Sequence, residues 1–197
     1  MLHPNFVILG AIIGLSGTLS YLIDTLKGKT KPNRVSWFIW TLAPLIAFSA
    51  ELSEGVGIQS LMTFMVGFSP LLILISSFFN KKSVWKLGKL DYTCGGLSIM
   101  GLILWLILGE GNIAIFFSIL ADGLAAIPTV VKSYSFPETE NYWVFLTASI
   151  NAGITLLTID IWNFAHYGFP VYILGITILL VLLIKFRIGK YISARIA

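Results

Sequence analysis

Asp122 lies in the middle of the apolar run between Ser118 and Lys132. An acid in such surroundings can exchange a proton or hold a cation. It costs several kcal/mol to leave against lipid, so it must face the protein interior. The plainer reading is a protonated side chain donating one hydrogen bond to a neighbouring helix. Ser118, Asp122, Ala126 and Thr129 recur at spacings that stack them on one helix face. Asn151, an amide with both donor and acceptor, sits at the midpoint of the next apolar run. Trp143, Thr147, Thr155 and Thr158 share its face. Such an amide can bind a polar solute or simply join two helices. Asp24 is a third candidate, set beside Lys27, where an interfacial ion pair competes with a coupling role.

The elements that must position these residues follow from composition. The 197 residues are 57% apolar and 11% charged, whereas soluble domains are about a quarter charged. The apolar residues fall into seven blocks, at 5–26, 34–53, 58–79, 90–108, 112–132, 142–160 and 167–188. A span needs about 20 residues, and backbone in lipid must bond internally, so the expectation is an all-α integral membrane protein with seven transmembrane helices. With seven crossings, all 13 basic residues, from Lys27 to Arg195, fall on one side. That side is therefore the cytoplasm, with the N-terminus outside and the C-terminus inside. The basic excess then reflects topology and contact with anionic lipid, not nucleic acid. The first block has no basic residue before it and is expected to be retained rather than cleaved.

An internal repeat runs through the chain. The shift that brings Lys27 onto Lys132 also brings Pro32 onto Pro137, Trp37 onto Tyr142, Trp40 onto Phe145 and Ala43 onto Ala148. The domains expected are a three-helix unit at 1–89, a linker helix within 90–111 and a second three-helix unit at 112–197. An odd linker helix lets both units face the same way. Gly10, Gly14 and Gly17 share one face of the first helix and allow close packing. Pro44, Pro70 and Pro128 lie inside helices, where each frees a carbonyl and can act as a hinge. Trp37 fits an aromatic belt at the headgroups, and Trp40, a turn deeper, can line a cavity.

Seven helices in a three-one-three pattern, parallel repeats, an outside N-terminus and Pro128 near the cytoplasmic end of the fifth helix resemble the SWEET and PQ-loop superfamily. The family's Pro-Gln dipeptide falls here at Pro128-Thr129. The resemblance implies a central pocket framed by Asn151, Trp143 and Trp40. Bacterial nicotinamide-riboside transporters are similar in helix count.

The expected function is transport of a small polar solute through a site between the two units, in a plasma membrane of bacterial type. Asp122, Asn151, Trp40, Trp143, Thr147 and Ser118 would bind the solute, and Asp122 with Asp24 would couple its movement to protons. The alternative is a receptor or accessory protein of the same fold that moves nothing. A homo-oligomer is compatible with either. An enzyme is not expected. His3 and His166 both fall on the outer side, no His, Cys or carboxylate cluster has metal-ligand spacing, and no cofactor is implied. The single Cys94 excludes an internal disulfide.

Overall fold

The computed structural model describes residues 1–108 and 110–189; Lys190 and Arg195, counted above with the basic residues, lie outside them. Among the described residues there are seven α-helices. They are α1 (Phe6–Leu26), α2 (Arg34–Ser53), α3 (Ser60–Ser76), α4 (Lys89–Leu108), α5 (Gly111–Ser135), α6 (Tyr142–Thr158) and α7 (Phe164–Lys185). A short 3-10 helix, Pro137–Thr139, precedes α6. Each expected apolar block is thus a helix. The blocks at 58–79 and 142–160 yield only 17 helical residues each. Four helices, α1, α2, α5 and α7, are long and apolar enough to cross a membrane.

Local chemistry sets the helix ends. Asn33, Asn141 and Asn163 begin α2, α6 and α7, each accepting an N–H of the first turn on its side-chain oxygen. Gly28 and Gly55, at φ 76° and 81°, turn the chain just past α1 and α2. Only glycine adopts that conformation without strain.

Polar groups are inside and apolar ones outside. Thr18, Ser36, Thr41, Ser118, Asp122, Thr129, Thr147, Asn151 and Thr155 are buried, whereas Ile12, Leu19, Ile103, Phe116, Leu157 and Ile178 are exposed. Water would invert that arrangement; hydrocarbon favours it. The chain is a helical membrane protein by this pattern and by its apolar helices.

The helices pack in a closed circuit. α3 lies against both α1 and α2, α7 lies against both α5 and α6, α1 packs on α6, and α2 packs on α5. α4 runs along α5 and touches α2. The seam between α1 and α6 depends on missing side chains. A Cβ at Gly17 would collide with Thr147 Oγ1 and come within 2.9 Å of Val144 Cα, and one at Gly10 would collide with Asn151 Oδ1.

Two of the atoms that a side chain at Gly17 would meet are α6 backbone, so the helices themselves would have to part. Gly17→Val is expected to cost about 3 kcal/mol, the upper end for overpacking. Gly153→Ala, where a Cβ meets nothing within 4 Å, should be silent. Thermal unfolding of the two variants in detergent checks the contrast.

Candidate functional site

Six of the seven helices line a central cavity of about 80 Å³. α1 contributes Gly14 and Thr18, α2 Trp37 and Trp40, α3 Val66 and Pro70, and α5 Asp122. Phe145 and Asn151 come from α6, and Ile173 and Thr177 from α7. None of the described side chains of α4 lines it. The wall is largely carbon.

Asp122 is 3% exposed. Its Oδ2 accepts from the hydroxyl of Tyr172 on α7 at 2.6 Å, and its backbone carbonyl accepts from Trp40 Nε1 of α2 at 3.2 Å. Its Oδ1 is buried and has no partner among the described residues, and neither has Asn151 Oδ1. Pairing is the rule for buried polar atoms, and leaving one unpaired costs about 1–3 kcal/mol. Asp122 and Asn151 both line the cavity, and the unpaired Asp122 oxygen marks where a donor-bearing solute can bind. Two more acceptors arise from proline. Pro44 and Pro70 lack the N–H that would bond the carbonyls of Trp40 and Val66, both lining residues.

At the end carrying the basic loops, the cavity is shut by rings and then by a buried ion pair. Trp40 packs against Trp37 with ring centroids 5.2 Å apart, and Trp37 against Tyr21 at 4.8 Å. The Tyr21 hydroxyl donates to Glu140 Oε2 at 2.6 Å, and Glu140 Oε1 pairs with Lys132 Nζ at 2.6 Å. The Lys132 and Glu140 side chains are 1% and 0% exposed. Lys132 also donates to the Lys31 carbonyl and lies over the Trp85 ring. Lys31 N–H in turn bonds the Thr139 carbonyl at 3.0 Å. Beside this lock, Asn141 donates to Ser20 Oγ and Asp24 Oδ2.

The structure brings Asp122, Asn151, Trp40 and Pro70 to the lining of one cavity. Ser118 and Thr147 are buried but do not line the cavity. Trp143 is 39% exposed and stands outside it. Asp24 sits at the loop end, paired with Lys29 at 3.6 Å rather than Lys27. Pro44 and Pro128 are inside α2 and α5, buried. Trp37, expected at the headgroups, is 2% exposed and part of the cavity.

Sequence reasoning missed Tyr172, Tyr21 and the Lys132–Glu140 pair. The signal for Tyr172 was available, since a tyrosine within an apolar helix needs a partner for its hydroxyl. Glu51 is buried near the end of α2, with Oε1 accepting from Thr63 Oγ1 at 2.9 Å. Among the described residues, no three His, Cys, Asp or Glu side chains are grouped so that they could hold a metal. No family model, curated protein or solved structure matches this chain.

Breaking the lock from one side strands a buried charge. Glu140→Gln should destabilise the protein by about 3–5 kcal/mol, and the double variant Lys132→Met/Glu140→Leu by much less. Tyr21→Phe removes only a bond to a charged acceptor, about 1.5–3 kcal/mol. A double-mutant cycle on unfolding free energy in detergent checks the order of the three.

Proposed function

We propose that this chain is a membrane transporter of a small polar solute, resembling the SWEET and PQ-loop superfamily. Its seven helices all span the membrane, as two parallel three-helix units at 1–89 and 112–197 joined by α4 within 90–111. The packing circuit supports the two units. In each trio the third helix lies between the other two, and the first helix of each packs on the second of the other. The capping asparagines support them as well. Asn33 and Asn141 hold the same place before α2 and α6, which sets Trp37 opposite Phe145 and Ala43 opposite Asn151. That register is about one turn away from the one that pairs Trp37 with Tyr142.

The observation that carries the reading is the buried, unpartnered oxygen Asp122 Oδ1 of a residue that lines a cavity between the units. Asp122 is the coupling acid and Asn151 a ligand to the solute, with Trp40 as an aromatic wall. The ring stack and the Lys132–Glu140 lock form a closed gate on the cytoplasmic side, and the N-terminus lies outside a bacterial-type plasma membrane. Pro44, Pro70 and Pro128 let the helices bend as the gate opens. Asp24 belongs to the gate rather than the pocket, through Asn141.

A receptor of the same fold is the second reading. The depth of the seal favours it, since a cavity shut by a buried ion pair can hold a ligand without passing it on. Counterflow in proteoliposomes separates the two: a receptor binds saturably and exchanges nothing across the bilayer.

Asp122→Asn keeps the acceptor for Tyr172 and the shape of the pocket but cannot exchange a proton. Uptake driven by a pH gradient should fall to background in this variant, while its melting and elution from a sizing column match wild type. Uptake equal to wild type would remove Asp122 from the coupling.

A further inference from the structure

The acceptors on the cavity wall are not balanced by donors of positive charge. Among the described residues, no Lys, Arg or His lines it. What the wall offers a solute is one carboxylate, Asp122, whose second oxygen is unpaired, and the amide of Asn151, whose unpaired oxygen lies toward Gly10 in the seam with α1. Next to them are the two residues whose carbonyls lose their usual helical donor to proline, Trp40 and Val66. The lining hydroxyls of Thr18 and Thr177 already donate to Gly14 and Ile173 carbonyls, so they too face a solute chiefly as acceptors. An anion would meet the unpaired Trp37 Nε1 as a donor, but also a carboxylate and, among the described residues, no cationic side chain. It is excluded by charge.

The geometry points to a monovalent organic cation as the solute class, an ammonium-type group on an aromatic or hydrocarbon body, with the charge at Asp122 Oδ1 and the body against the rings. This rests on the transport reading above and narrows it. One carboxylate matches one positive charge, and an ammonium supplies up to three N–H donors for the free oxygens. The rest of the wall is carbon, with Trp37, Trp40 and Phe145 as ring faces and edges. Cations are held over such rings, most strongly over tryptophan. A bare metal cation is a poor match. Hard cations want about six or more oxygens, and Met65, Val66, Ile173 and Leu180 supply none from their side chains. Asp122 alone would have to bring most of the charge compensation. The Tyr172 hydroxyl on Oδ2 fixes the carboxyl group so that Oδ1 is the atom left for the solute.

The test uses the full chain, purified and in proteoliposomes, with four probes. They are 2-phenylethylammonium, its neutral isostere 2-phenylethanol, the anion phenylacetate, and sodium ion. Equilibrium binding to wild type is expected to favour 2-phenylethylammonium over 2-phenylethanol by about tenfold or more, the strength of one hydrogen bond to a charged group. Asp122→Asn should bring that ratio to near one. Because the ratio is measured within wild type as well, a misfolded variant does not rescue the proposal. Equal or better binding of the alcohol, of phenylacetate or of sodium overturns it, as does failure of every probe to bind. Flux is read separately. Movement of a neutral solute with no cation preference would leave transport standing and remove the cation class. Tight cation binding with no counterflow would keep the class and remove transport.

Discussion

Everything in this protein answers to one constraint: a polar atom buried among hydrocarbon must find a partner inside the protein. The helices meet it along their backbones, and Thr18, Thr41, Thr155 and Thr177 meet it by returning their hydroxyls to a carbonyl of their own helix. Asn33 and Asn141 meet it by capping the helix they begin. Against that background the unpaired buried atoms stand out, and three of them, Trp37 Nε1, Asp122 Oδ1 and Asn151 Oδ1, belong to residues that line one cavity. The cost of burying them unpaired is the physical reason to read the cavity as a place for a solute rather than a packing fault.

The same constraint explains why the helices sit where they do. α1 can press against α6 only because Gly10 and Gly17 leave room for Asn151 and Thr147. That contact gives Asn151 two duties, as a filler of the seam and as part of the cavity wall. α5 is held from both sides, by Trp40 of α2 on the Asp122 carbonyl and by Tyr172 of α7 on its carboxylate. Three helices therefore converge on one residue, and its position is set by neighbours that are themselves part of the wall.

The all-helical architecture was legible in the sequence because hydrocarbon length is a strong filter, and all seven apolar blocks are helices in the structure. Asp122 and Asn151 were legible because a polar residue inside such a block has few explanations. The partners were harder. Tyr21 and Tyr172 reach across helices that are distant in sequence, and no local pattern names the carboxylate at the far end. Lys132 looked like a loop charge, yet it is buried, because Glu140 in the next turn of chain folds back onto it. Trp143 and Trp37 show the limit of reasoning by residue type. Helix phase, fixed by the capping asparagine, turns the first outward and the second inward.

The lock at the loop end divides its bonds in an uneven way. Lys132 and Glu140 belong to the same stretch of chain, α5 and the turn after it, and their ion pair is internal to that stretch. What ties the stretch to α1 and the loop beyond it is a phenol hydroxyl, an amide and backbone groups, from Tyr21, Asn141, Lys31 and Thr139. Parting the two sides therefore pulls no cation away from its anion. The charged couple would stay with one side as a neutral unit.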